Sequence, residues 1–205
     1  MGKPSRGDVG GLLMVAAWVA ASAAGSAAAR GLFELGTARY WGVLLAAFQG
    51  VVLRRRGVPY MRWLVWSTGG WALGALIGAR LISGAVHGIV ALASGRLDTA
   101  PADLVQTVAV FSILGAAQLG VLRLHMPAPL TWVALNTLAG VVITYVESPI
   151  RTLLFVPAEA AAGVAGAEAA VGAALGAVYG AITAPQLARI GPGTRLLVRN
   201  QRAER

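Results

Sequence analysis

The chain has 205 residues, 57% hydrophobic and 12% charged, with no cysteine; ordinary soluble domains carry about 25% charged residues, so the composition excludes a soluble fold and points to a membrane protein. Without cysteine there are no disulfides, thiol nucleophiles or Cys-bound metals. The net charge of +9 would suit nucleic acid, but the basic residues lie in short loops and a tail, which favours an anionic lipid surface and no nucleic acid.

After a polar tail with Lys3 and Arg6, the apolar run 9–29 is long enough to cross ~30 Å of hydrocarbon. The chain that follows is equally apolar, so this run reads as a retained span and not as a signal peptide. Ala17, Ala21, Gly25 and Ala29 give it one small-residue face. A linker from Arg30 to Arg39 leads to a second span over 40–53, entered by Tyr40 and Trp41 and stopped by Arg54, Arg55 and Arg56. The third span, 60–79, follows Pro59 and carries Trp63, Trp66 and Trp71 before ending at Arg80. These arginines sit between two spans with almost no linker, so they orient both, and they are expected in the cytoplasm.

Residues 81–93 are more chain than that crossing needs and are expected to lie at the interface or to re-enter. Gly95, Asp98, Pro101 and Asp103 mark an outer loop and the next helix start. The fourth span covers 104–122 and ends at Arg123, where His125, Pro127 and Pro129 make an inner turn; the fifth covers 130–146. The stretch from Glu147 to Pro157 is expected at the outer surface, with Glu147 and Arg151 paired at i,i+4. The last span is placed at 167–185, with Glu159 and Glu168 near its start, where carboxylates meet the helix N-terminal dipole favourably. Residues 186–205 form a basic tail suited to anionic lipid. With six spans and both termini cytoplasmic, 12 of the 17 Lys and Arg fall inside and 5 outside, as the positive-inside rule requires.

An internal repeat is visible at an offset of 69. It superposes Gln49 on Gln118, Leu53 on Leu122, Arg54 on Arg123, Trp63 on Trp132 and Thr68 on Thr137. An even number of spans separates the copies, so the hairpins are expected to be parallel repeats about an axis along the membrane normal. A third copy, split between the chain ends, would make the fold pseudo-threefold. Gly172, Gly176, Tyr179 and Gly180 would match Gly42, Ala46, Gln49 and Gly50, while Trp18, Ser22 and Gly25 keep the spacing of Trp63, Ser67 and Gly70. Depth stands against it, because Trp18 lies about ten residues into its span. The fold class read here is therefore an all-α membrane protein of six transmembrane helices built from parallel-repeated hairpins. With their Gln-x-x-x-Leu-Arg ends and Trp-initiated, Gly-rich second helices, these units resemble a loose group of uncharacterised bacterial polytopic membrane proteins. That resemblance covers roughly residues 42–183 and implies no particular function.

Gln49, Gln118 and Asn136 are amides at membrane depth and must have partners, since an unpaired amide in hydrocarbon costs several kcal/mol. Either they line a solute path or they bond between helices. Gly70, Gly74 and Gly78, and likewise Gly172, Gly176 and Gly180, form two glycine zippers at four-residue spacing, suited to close helix packing or to a groove. His87, flanked by Gly84 and Gly88, could ligate the metal of a planar pigment or sit at the interface; beyond it no cofactor is indicated. Nothing resembles an enzyme motif. The leading expectation is a non-enzymatic structural or accessory subunit of a larger membrane complex in a bacterial inner membrane, packed against other subunits or copies of itself. The alternatives are a small-solute carrier or the substrate-binding membrane subunit of a transporter and, last, a pigment-binding subunit of a photosynthetic complex.

Overall fold

The structure is a computed structural model and describes residues 6–32, 41–78, 83–94, 100–123, 125–126, 128–188 and 190. These form six helices and no strand: α1 (Arg6–Gly31), α2 (Trp41–Arg54), α3 (Tyr60–Leu76), α4 (Ser83–Ser94), α5 (Ala100–Leu122) and α6 (Pro129–Leu187). Among the described residues, three stretches are long and apolar enough to cross a membrane, Val9–Gly31, Asp103–Leu122 and Pro129–Leu187. The 14 residues of α2 and 17 of α3 reach only ~21 and ~25 Å at ~1.5 Å per residue. The 12-residue α4 is shorter still and packs on α5, leaving Ile89 and Leu92 exposed.

The sequence reading placed 147–157 at the outer surface between two spans; in the structure that stretch is part of α6, which is helical throughout its 59 residues except at Gly163, where φ is 69° and ψ −179°. A straight helix of that length would hold its ends ~87 Å apart. Yet Gln186 Nε2 donates to the Ala128 carbonyl at 2.8 Å, and the Tyr179 hydroxyl donates to Asn136 Oδ1, so α6 folds back on itself. Gly163 supplies a positive φ that side chains rarely tolerate. Pro149 and Pro157, expected to end a helix, are carried inside it. The carbonyls they deprive of an intrahelical donor belong to Tyr145 and Leu153, both exposed residues.

Counting the two limbs of α6 separately, six helical segments close into a ring of antiparallel neighbours, α1, α2, α3, α5, first limb, second limb and back to α1. Small residues set the approach. A Cβ on Gly74 would lie 2.9 Å from the Val110 carbonyl oxygen of α5, and one on Gly25 would lie 2.9 Å from the Leu45 Cα of α2. Gly70 and Gly78 also abut α5, against Ala117 and Gln106. On the second limb, Gly172, Gly176 and Gly180 lie against Ser26, Ser22 and Val19 of α1.

Candidate functional site

The inside of the ring is built in layers, beginning at the α2–α3 turn. Val58, Met126 and Ile190 form the first layer and Leu53, Leu122 and Leu187 the second, all buried. Arg56 pins this end shut, its guanidinium donating to the carbonyls of Ile190 and Gly10. Arg54, Arg55 and Arg123 are exposed.

Above the leucines lie Trp18, Trp63 and Trp132, each with no exposed surface. Their ring centroids stand 6.1, 6.0 and 6.4 Å apart with interplanar angles of 71°, 66° and 67°, so each meets the other two edge to face, the arrangement that places a positive ring edge on a negative face. The three indole N–H groups are bonded too, Trp18 to the Thr183 hydroxyl, Trp63 to the Ala46 carbonyl and Trp132 to Gln118 Oε1.

The next layer is polar. Gln49 Nε2 donates to Ser22 at 3.0 Å, Gln118 Nε2 to Ser67 at 3.2 Å, and the Tyr179 hydroxyl to Asn136, whose own Nδ2 donates to the Trp132 carbonyl. In each pair the second residue lies four positions after a triangle tryptophan. Gln49 and Gln118 are 1% exposed and sit on helices that both run antiparallel to α3.

These contacts shift the expected third match by one helical turn. Gly42 abuts Trp71 and Gly140 abuts Phe111, each pair including the position eight residues after a triangle tryptophan, while Gly176 lies against both Ser22 and Ser26, four and eight residues after Trp18. Thr183, not Tyr179, accepts from the Trp18 indole, as Gln118 accepts from that of Trp132. Composition hid this register, since Gly and Ala recur every four residues along the second limb, at Gly172, Gly176 and Gly180 and at Ala173, Ala177 and Ala181. Trp18 reaches the level of Trp63 and Trp132 because α1 starts well before it, at Arg6.

At the opposite end, past Leu45, Leu114 and Tyr179, the ring opens into a cavity of about 470 Å³. Its floor is Trp71, Phe111 and Gly140; its walls include Ser26, Thr107, Ile143 and Thr144; its rim is Arg30, Glu147, Arg151 and Glu168. The expected Glu147–Arg151 pair is replaced. Glu147 pairs with Arg30, and Arg151 grips Glu168 at 2.7 and 2.9 Å, because the return limb brings a second carboxylate beside Arg151. Arg30 also reaches Glu168 at 3.3 Å, so this residue, read from sequence as a helix-start carboxylate, is a 9% exposed member of a four-charge network.

Sequence reasoning missed the rim. The signal was present, since Arg30, Glu147, Arg151 and Glu168 all flank span ends on one expected side. The side chain of His87 and the tail 191–205 lie outside the described residues. Among the described residues no cluster of His, Asp and Glu could hold a metal ion. No family model, curated protein or solved structure matches the chain.

Proposed function

We propose that the protein is a six-span bacterial inner-membrane protein, three parallel hairpins about one axis, that binds a small solute in the vestibule as a carrier or as the substrate-binding membrane subunit of a transporter. The hairpins are α2 with α3, α5 with the first limb of α6, and the second limb of α6 with α1. The three-way tryptophan contact and the repeated polar pairs support them. Both termini and the arginine-rich turns face the cytoplasm, so the vestibule opens outward and the tryptophan triangle seals its inner side.

The observation that carries the solute reading is the cavity of about 470 Å³, within the ~300–1,000 Å³ of small-molecule sites and, like them, largely apolar with a few converging polar groups. A bundle packed solid along its axis would instead favour the structural subunit. Because the chain has no native cysteine, Thr107→Cys can be probed cleanly in cells with a small membrane-impermeant thiol reagent. Labelling from outside is expected, and failure to label from either side would remove the aqueous vestibule.

A further inference from the structure

The rim charges form an open chain of alternating sign, Glu147 to Arg30 to Glu168 to Arg151, joined by three ion pairs. Its two ends have opposite charge and lie nearer the mouth, with 36% of the Glu147 and 41% of the Arg151 side chain exposed against 22% for Arg30 and 12% for Glu168. Below them Ser26 is one of the residues that line the cavity; it is 1% exposed and its buried hydroxyl has no hydrogen-bond partner, although a buried hydroxyl ordinarily finds one.

We infer that the vestibule takes a zwitterion with an apolar side chain, of the α-amino-acid class, whose ammonium meets Glu147 and whose carboxylate meets Arg151. This rests on reading the vestibule as a solute site. A zwitterion closes the open chain into a cycle and leaves the site neutral, whereas a lone anion or cation would add an uncompensated charge to a partly desolvated network, which is costly. The aromatic floor receives the apolar side chain, and the Ser26 hydroxyl gains the partner it lacks.

The test is equilibrium binding to the full chain in lipid nanodiscs, using L-phenylalanine, phenethylamine and 3-phenylpropanoate, which share the ring and differ in charge. L-phenylalanine is expected to bind at least ten-fold more tightly than either analogue. Glu147→Gln should weaken L-phenylalanine and phenethylamine, and Arg151→Gln should weaken L-phenylalanine and 3-phenylpropanoate. Ser26→Ala leaves the ion pairs intact, so it holds the test open if the rim variants misfold; it should weaken L-phenylalanine about 2- to 10-fold, the span of one net hydrogen bond. A single-charge analogue binding as tightly as L-phenylalanine would overturn the zwitterion while leaving the solute site standing. Absence of binding by all three, with Thr107→Cys still labelled from outside, would overturn the ligand class but not the vestibule.

Discussion

Gln118 donates from its amide nitrogen to the Ser67 hydroxyl at 3.2 Å while its carbonyl oxygen accepts from the Trp132 indole at 2.8 Å. One side chain thus joins α5 to α3 and to α6, and both of its polar atoms are used. Gln118→Leu would strand a buried hydroxyl and a buried indole N–H, so a loss of about 1–3 kcal/mol per stranded group is expected. A double-mutant cycle of Gln118→Leu with Ser67→Ala, read by unfolding in mixed micelles, should give a coupling near the ~0.6 kcal/mol average for such bonds in membranes. Strict additivity would show that the bond contributes nothing.

Gly74→Leu should be far more disruptive than Leu76→Ala. The first forces a side chain into the Val110 backbone, 2.9 Å from where its Cβ would begin, and overpacking costs about 1–3 kcal/mol or more. Leu76 is half exposed and loses little on truncation. Equal melting temperatures for the two variants would contradict the close approach of α3 and α5.

Trp63→Ala opens the triangle. Removing a fully buried tryptophan costs about 3–5 kcal/mol, whereas Trp66→Ala, at a 48% exposed site, should cost well under that. The check is the pair of unfolding midpoints, with the near-ultraviolet circular dichroism of the cluster as a second readout; Trp63→Ala should reduce it and Trp66→Ala should not.

For orientation, Arg55 and Ala160 are exposed and lie at opposite ends of the ring. In right-side-out cells Ala160→Cys should react with an impermeant thiol reagent, and Arg55→Cys only after the membrane is opened. Position 55 serves better than 56, because the Arg56 guanidinium is bonded to Gly10 and Ile190. Reaction of Arg55→Cys in intact cells would invert the proposed topology.

What the sequence disclosed was governed by local spacing. The likeness of Gln49 and Gln118 was readable because Leu-Arg and Trp follow both at fixed distances, and both amides donate to a serine hydroxyl, while Trp132 donates to Gln118 but Trp63 to the Ala46 carbonyl. The glycine series were readable because four-residue spacing puts small residues on one helix face. The continuation of α6 through Pro149 and Pro157 was not, since proline ordinarily ends a helix and nothing local announces an exception. The rim network also stayed hidden, for Arg30 and Glu168 are 138 residues apart and meet only through the fold. The burial of Trp18, Trp63 and Trp132 against one another was likewise not legible, because the three lie on different helices and meet only in the folded ring.

The bond from Trp18 to Thr183 spans 165 residues of sequence. At a synthesis rate of about 5–20 residues per second, α1 emerges from the ribosome roughly 10–30 s before the segment that pairs with it. During that interval the Trp18 indole waits for its acceptor, while Ser22 is met as soon as α2 supplies Gln49. Premature termination between α5 and Thr183 therefore strands the oldest part of the chain, not the newest. A product lacking the second limb of α6 would leave bare the face of α1, at Ser22 and Ser26, that Gly176 covers.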